Sequence, residues 1–213
     1  MNWFLNFYRS AVGKKTVMAV TGVLLFGFVL IHMIGNLKLY LPPGADGRAA
    51  LDIYGEFLKN FGYPLLPHEG ALWIFRIVLV LAAWLHIQSA TQLTLMNWGA
   101  RPEKYKERDW VVADYASRTM RWGGVIVLLF IIWHLLDFTL GTVNPGFVYG
   151  EVRRNMIASF SVPWVAGFYI IANLMLGLHL YHGLWSFFQS LGWNHPSFNE
   201  WRKWFASAFS ILI

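Results

Sequence analysis

Four histidines lie inside long apolar stretches, and their type and spacing could do chemistry. They are His32, His86, His134 and His179, one in each of four successive stretches, with His182 close behind the last. Ionisable side chains inside a membrane-spanning segment are rare and usually functional. Neutral imidazole binds iron through a ring nitrogen. The other two histidines, His68 and His195, fall in loops and need no such role.

The depths of these histidines sort them into two pairs. At 1.5 Å per residue, His32 lies about 22 Å and His134 about 21 Å from the side on which the N-terminus lies. His86 lies about 22 Å from the opposite side, and His179 lies at a similar depth in the next span of that direction. The two levels differ by roughly 15 Å. Two imidazoles from facing helices at each level would bind two stacked b-type haems.

A flat macrocycle needs small side chains beside its ligand. The positions three and four residues from His86 hold Ala82, Ala83, Ser89 and Ala90. Gly35 and Gly183 lie in similar positions beside two of the other histidines. The same positions around His134 hold Phe130, Ile131, Asp137 and Phe138, which do not fit this rule.

The stretches that carry the histidines are long enough to cross a hydrocarbon core about 30 Å thick. They run from about Val17 to Tyr40, Ala71 to Asn97, Met120 to Leu140 and Val162 to Leu191. A fifth begins at Trp201 and reaches Ile213, a rise of only about 20 Å. We interpret it as a fifth span that is incomplete here, with an interfacial helix as the alternative. The sequence thus predicts an all-α integral membrane protein, a five-helix bundle in one domain over residues 1–213.

Composition supports the membrane assignment and excludes other classes. Apolar residues make up 57% of the chain and charged residues 13%, against about 25% charged in soluble domains. A disordered chain is excluded, and a soluble domain would lack polar surface. The absence of cysteine excludes disulfides, thiolate-bound iron–sulfur or zinc sites and covalently attached c-type haem.

Lysine and arginine predict the orientation and explain the net charge of +6 without a nucleic-acid partner. Eleven fall on the N-terminal side: Arg9, Lys14, Lys15, Arg101, Lys104, Lys106, Arg108, Arg118, Arg121, Arg202 and Lys203. Five fall on the other side: Lys38, Arg48, Lys59, Arg153 and Arg154. This asymmetry predicts a cytoplasmic N-terminus, a cytoplasmic loop RPEKYKERDW at 101–110, and an outer loop at 42–70 with a short helix around Ala49–Asn60.

Two stretches of the sequence carry a family resemblance. They are GKKTVMAVTGVLLFGFVLIHMIGNL at 13–37 and GLHLYHGLWSFFQSLGWNHP at 177–196. With one histidine on each of four consecutive spans, they resemble the dihaem cytochrome b558 membrane-anchor subunit of succinate dehydrogenase and fumarate reductase. The chain looks most like the single-subunit, five-span anchors of Gram-positive and related bacteria, over nearly its whole length.

The resemblance implies a subunit of the bacterial inner membrane that anchors a flavoprotein and an iron–sulfur subunit on the cytoplasmic face. Electrons from succinate would pass through flavin, iron–sulfur clusters and two b haems to a quinone, usually menaquinone, in the respiratory chain and the tricarboxylic acid cycle. The subunit would not itself bind succinate, and its only catalytic role would be quinone reduction. The resemblance implies the same axial pairs, His32 with His134 (distal haem) and His86 with His179 (proximal haem).

The residues alone leave open whether His179 or His182 is the fourth ligand. In the family the axial histidine precedes the glycine of the motif by four residues and a Gly-Trp tryptophan by fourteen. Gly183 and Trp193 therefore select His179, and His182 could meet a propionate or a quinone oxygen. Some dihaem fumarate reductases carry a glutamate two residues before this ligand for a proton path. Gly177 stands here instead, which puts that path in doubt.

Haem propionates are anions that need cationic or hydroxyl partners. Arg76 is the candidate near the distal haem, and Arg121 with Lys14 or Lys15 near the proximal one. Ser89 is a candidate hydrogen-bond donor to a propionate, a ring or a neighbouring helix. The alternative for the four cations is that they extend to the lipid headgroups.

Two carboxylates are candidates for proton exchange at a quinone site. Asp137 lies one turn from His134 and could instead pair with Arg76 or Lys38. Glu69 is the second candidate. Several places could hold the quinone, so its site stays open.

Two other functions fit parts of the pattern. A cytochrome b anchor of another quinone-linked dehydrogenase would differ in span count and histidine spacing. A small transporter or channel could use the histidines to relay protons or to bind a metal ion, but would need a more polar path. A reduced-minus-oxidised optical spectrum separates the haem and transport hypotheses.

Overall fold

The computed structural model describes residues 2–100, 115–193 and 195–213, and its long elements are all helices. The α-helices in this part of the chain are α1 Trp3–Arg9, α2 Ala11–Asn36, α3 Ala50–Asn60, α4 Gly70–Gly99, α5 Tyr115–Phe138, α6 Val152–Phe160, α7 Pro163–Ser190 and α8 Pro196–Leu212. A 3-10 helix at Leu37–Tyr40 continues α2. The predicted cytoplasmic loop at 101–110 lies outside the described residues.

In the part of the chain that the structure describes, four helices are long and apolar enough to cross a membrane, as the sequence predicts. They are α2 with its 3-10 extension, α4, the Met120–Phe138 part of α5, and α7. The largest difference is at α2, which starts at Ala11 rather than near Val17 and so includes the polar residues before the apolar run. The last helix, α8, starts at Pro196 and has 17 residues. That α8 is a fifth span, and that the N-terminus is cytoplasmic, stay predictions.

Three short α-helices of the described residues lie outside these spans. The segment 42–70, predicted to be an outer loop, holds α3 where a short helix is predicted, whereas α1 and α6 have no counterpart in the sequence prediction. Ser10 separates α1 from α2: its Oγ donates to the Phe7 carbonyl at 2.6 Å and accepts the Gly13 amide at 3.0 Å. A hydroxyl that satisfies one helix end and the next helix start is a local capping feature that apolar periodicity does not report.

The chain folds as two compact units, to which each of the four long helices contributes a segment. Unit 1 comprises Met1–Phe28, Ile77–Met120 and Leu180–Leu212. Unit 2 comprises Val29–Arg76, Arg121–His179 and Ile213. Each unit has its own histidines and its own buried polar groups.

Unit 1 is held by aromatic packing of α8. Phe205 lies 6.5 Å from Phe26 of α2 and 6.1 Å from Phe188 of α7, measured between ring centroids. The end of α7 directs the chain into this packing. Gly192 takes a positive φ of 83°, and the Trp193 amide donates to the Phe188 carbonyl at 2.8 Å. This is a Schellman ending, in which glycine allows the left-handed turn and the flanking apolar residues meet.

Unit 2 contains α3 and α6, which pack against each other. Asp52 of α3 accepts the Arg153 amide at 2.9 Å, at the first turn of α6. A carboxylate at this position satisfies an unpaired amide and complements the helix dipole. Asn155 of α6 fixes the preceding loop, because its side chain bonds both the amide and the carbonyl of Val148, at 2.9 and 2.8 Å.

Candidate haem sites

His32 of α2 and His134 of α5 meet in unit 2. Their ring centroids are 5.6 Å apart and their planes are nearly perpendicular, at 89°. Two imidazoles that bind one metal through bonds of about 2 Å have ring centroids roughly 6 Å apart. The observed separation of the two rings is close to the spacing that such a pair of ligands requires.

Aromatic side chains surround the His134 ring. Phe130, Phe138 and Tyr169 lie 5.7, 5.4 and 6.1 Å from it, centroid to centroid. Its Nδ1 is buried and has no hydrogen-bond partner among the described residues. The bulky neighbours that do not fit the small-residue rule therefore hold this ring by packing.

Asp137 is 1% exposed, the most buried carboxylate in the described part of the chain. Its Oδ2 accepts hydrogen bonds from Ser159 Oγ at 2.6 Å and from the Tyr169 hydroxyl at 2.8 Å. Its Oδ1 accepts from Asn144 Nδ2 at 2.8 Å. Three donors thus converge on one carboxylate, and Tyr169 connects it to the His134 ring.

The cations expected beside Asp137 lie on aromatic rings instead. The Arg76 guanidinium is 4.8 Å from the Trp73 ring centroid, and Lys38 Nζ is 5.2 Å from that of Tyr54. The described residues form no ion pair with Asp137, so the predicted pairing is wrong. Cation–π contact lets a long basic side chain stay near the surface without a buried counter-ion.

Gly35 does not provide room beside His32. A side chain at Gly35 would meet the Tyr54 ring, because an added Cβ would lie 2.7 Å from Tyr54 Cε1. This glycine therefore serves the packing of α3 on α2, and the interpretation that it makes space for a macrocycle is wrong.

In unit 1, a hydrogen bond from His86 to the backbone of α2 orients its ring. His86 Nδ1 lies 3.0 Å from the Met18 carbonyl oxygen and 3.4 Å from Thr21 Oγ1. Thr21 uses its own hydroxyl proton on the Val17 carbonyl, at 2.7 Å. Both groups facing Nδ1 are therefore acceptors, Nδ1 carries the proton, and Nε2 carries the lone pair. Metal-binding histidines commonly show this arrangement.

Two glycines that the sequence interpretation missed lie against histidine rings. A Cβ at Gly22 would lie 3.3 Å from His86 Cε1, in unit 1, and a Cβ at Gly124 would lie 3.7 Å from His179 Cε1, in unit 2. Each glycine stands ten residues before the histidine of its own span. That repeated spacing is the signal that could have identified them.

Lys14 of α2 is buried, at 7% exposure, whereas Lys15 is exposed. Its ammonium donates to Gln92 Oε1 and lies 4.7 Å from the Tyr8 ring centroid. No carboxylate of the described residues forms an ion pair with it. Ser89, fully buried on α4, has an Oγ without a hydrogen-bond partner in the same described part of the chain.

The remaining candidates have other surroundings. Glu69 accepts a hydrogen bond from the Tyr149 hydroxyl at 2.8 Å, outside the spans. The His182 ring lies 6.1 Å from that of Trp185, and Arg121 is exposed.

The loop histidines have ordinary environments. His68 is exposed, and His195 Nδ1 accepts the Ser197 amide at 3.3 Å at the start of α8. His86 belongs to unit 1 and His179 to unit 2, and their pairing stays a prediction.

Together these features fit the requirements of a b-type haem. No group of three or more His, Cys, Asp or Glu side chains that could hold a metal ion occurs among residues 2–100, 115–193 and 195–213. Haem iron needs only two side-chain ligands, because the porphyrin supplies the other four nitrogens. An oriented His86, a buried unpaired hydroxyl and a buried ammonium without an anion are what such a group would use.

Comparison with known proteins agrees with this class of membrane cytochrome. The chain is 28% identical over 170 residues to the succinate dehydrogenase cytochrome b558 subunit of Bacillus subtilis (strain 168). The similar region covers 79% of this chain and 74% of that protein. No family model matches the chain, and no solved structure matches it.

Proposed function

We propose that this chain is the membrane anchor and electron-transfer subunit of a succinate:quinone oxidoreductase. The observation that carries the proposal is the meeting of His32 and His134, from two different spans, with ring centroids 5.6 Å apart. The similarity to the cytochrome b558 subunit supports it over most of the chain.

Two b haems are proposed, one held by His32 and His134 and the other by His86 and His179. Each haem would supply a one-electron carrier, and these histidines would supply its axial nitrogens in the apolar surroundings that the protein provides. Histidine at both axial positions would leave no open position for oxygen. The Nδ1–H bond from His86 to the Met18 carbonyl leaves Nε2 as the nitrogen that would bind iron, and would make that nitrogen more basic.

Charged groups of the chain would then meet the propionates. Lys14 is the stronger candidate than Lys15, because its ammonium is buried without an anion and Ser89 on α4 has a free buried hydroxyl. That Arg76 and Arg121 bind propionates stays a prediction. A propionate beside Lys14 would supply the missing negative charge.

The partners follow from the same proposal. A flavoprotein subunit and an iron–sulfur subunit would dock on the cytoplasmic side of the bacterial inner membrane and deliver electrons from succinate. The final acceptor would be menaquinone or another quinone. Asp137 and Glu69 remain the candidate carboxylates for its proton exchange.

The proposal is tested by purifying the full chain in detergent from a haem-synthesising bacterium. A reduced-minus-oxidised spectrum with a b-type α-band and a haem count of two per chain are expected. Replacing His32 or His134 by alanine should remove one haem, and replacing His86 or His179 the other. His68→Ala and His195→Ala are matched controls, because those histidines lie in loops and should leave both haems in place.

Three results would contradict the proposal or its details. A purified, folded chain without haem would overturn it. Loss of one haem in His182→Ala, with none lost in His179→Ala, would reassign the fourth ligand. Two haems with no electron transfer from a succinate-reduced partner would favour the anchor of another quinone-linked dehydrogenase. No observation in the described part of the chain favours the proton or metal transporter.

A further inference from the structure

Unit 2 buries the carboxylate of Asp137 almost completely. A carboxylate removed from water costs several kcal/mol unless a cation or several hydrogen bonds compensate it. Here the compensation is by neutral donors only: Ser159, Tyr169 and Asn144. No cationic side chain of the described residues forms an ion pair with it.

The hydrogen bonds indicate that this group is held as an anion. Asn144 Nδ2 also donates to the Asn155 carbonyl at 3.1 Å, which assigns the amide nitrogen as the atom facing Asp137. The two hydroxyls both lie at hydrogen-bonding distance from Oδ2, at 2.6 and 2.8 Å. An acceptor-only carboxylate satisfies all three neighbours at once.

The same anion lies beside the candidate haem ligand. Asp137 follows His134 by three residues, about one turn of α5. Tyr169, which donates to Asp137, also packs its ring 6.1 Å from the His134 ring. Leaving aside its propionates, the iron–porphyrin core of a haem with two neutral imidazoles has one net positive charge as iron(III) and none as iron(II).

We infer that Asp137 is the fixed counter-anion of the haem held by His32 and His134 and that it favours the oxidised state of that haem. This inference rests on the proposed function. Asp137 is a positioning and charge-setting residue, because it acts on the iron through space and through Tyr169 rather than by ligation. The neutral donors hold the anion in place without cancelling its charge.

The test is a potentiometric titration of the purified full chain, followed by the α-band absorbance. The haem that disappears in His134→Ala identifies the band to follow. Asp137→Asn keeps the shape of the side chain: its amide oxygen can still accept from Asn144 Nδ2, and its amide nitrogen can donate to the hydroxyl oxygens of Ser159 and Tyr169. We expect Asp137→Asn to raise the ratio of reduced to oxidised haem about tenfold at a fixed potential.

Two further variants separate charge from general disturbance. Ser159→Ala removes one donor and leaves the anion less shielded, so we expect a smaller shift in the opposite direction. Asp52→Asn removes a carboxylate from α3, outside the spans, and should leave the titration unchanged.

The outcomes are distinct. An Asp137→Asn protein that keeps both haems and titrates like the parent would overturn the inference and leave the proposed function intact. If the Asp137→Asn protein loses this haem, the Ser159→Ala protein becomes the test. A Ser159→Ala protein that titrates like the parent would then overturn the inference. A parent chain without haem removes the proposed function and this inference with it.

Discussion

Each of the two units holds a histidine among apolar residues, but the contacts that hold it differ. In unit 1 the His86 ring donates to a backbone carbonyl and lies against a glycine. In unit 2 the His134 ring has no partner for Nδ1 among the described residues and is surrounded by aromatic rings. A hydrogen bond selects one tautomer and one orientation, whereas packing restricts orientation and leaves the tautomer free.

The units also differ in the sign of their buried charge. Unit 1 buries the ammonium of Lys14, and unit 2 buries the carboxylate of Asp137. The neighbours of each charge are neutral in the described part of the chain. A positive charge favours the reduced form of a nearby haem and a negative charge the oxidised form, so the two buried charges would shift the potentials of the two proposed haems in opposite directions.

The largest effect is expected from a substitution that displaces the His86 ring in unit 1. In Gly22→Val the new side chain would occupy the position of the His86 ring, because even a Cβ would lie 3.3 Å from His86 Cε1. Overpacking of this kind costs about 1–3 kcal/mol and would displace the ring. We expect loss of one of the two proposed haems, measured as haem per chain.

Gly27→Val is the matched control for this prediction. Gly27 lies on the same helix, and a Cβ there would meet nothing within 4 Å. Both haems should remain in it. Equal haem loss in the two variants would show that valine disturbs α2 in general and that Gly22 has no special role.

The next effect concerns the charge of unit 1. A unit charge about 10 Å from a redox centre, at an effective dielectric constant near 20, changes its energy by about 1.7 kcal/mol. Lys14→Met should therefore lower the reduced-to-oxidised ratio of the haem that His86→Ala removes by roughly tenfold at a fixed potential. Lys15→Met, one residue away and exposed, should leave it unchanged. If Lys14→Met instead raised this ratio, as is expected for Asp137→Asn, the two buried charges would not act in opposite directions.

The sequence predicts the long helices well because a membrane span is a strong, continuous signal. The four apolar stretches and the short helix at Ala50–Asn60 are found as helices. The sequence does not predict helices α1 and α6, because each is short and its ends are set by polar contacts. Examples are the contacts of Ser10 between α1 and α2 and of Asp52 at the start of α6. Side-chain capping depends on local geometry that periodicity does not contain.

The candidate site is predictable in part for a similar reason. Depth along a helix brings His32 and His134 to one level, and the structure places their rings in contact. The partners of Asp137 could not be predicted, because Ser159 and Asn144 belong to a short helix and a loop whose positions depend on tertiary packing. Cations in the sequence suggest ion pairs, but Arg76 and Lys38 lie on aromatic rings instead.

A smaller effect should follow from Thr21→Val in unit 1. Thr21 Oγ1 is 3.4 Å from His86 Nδ1, longer than the 3.0 Å to the Met18 carbonyl, which remains as the acceptor. Its hydroxyl otherwise bonds its own helix at Val17, and valine has nearly the same shape. We expect both haems to remain and the potential to move less than in Lys14→Met. Loss of a haem would mean that the hydroxyl, rather than the carbonyl, orients His86.

The smallest effect is expected from an exposed carboxylate of unit 2, as a contrast with Asp137. A hydrogen bond from Arg48, whose Nε is 2.6 Å from Asp46 Oδ2, holds the pKa of Asp46 below its ordinary value. The ion pair therefore contributes fully above the unfolded-state pKa of about 4 and is lost only as the pH falls through the lower folded-state pKa. No change is expected between pH 5 and 8.

Both side chains of this pair are about half exposed, and exposed pairs contribute little because water screens them. Asp46→Asn should consequently leave the melting temperature at pH 7 unchanged within error, and any small difference from the parent should disappear in acid. The measurement is thermal unfolding of the parent, Asp46→Asn and Asp137→Asn in the same detergent at pH 7. Since Asp137 satisfies three buried donors and Asp46 none, a larger loss in Asp46→Asn than in Asp137→Asn would reverse the ranking of buried over exposed charge in unit 2.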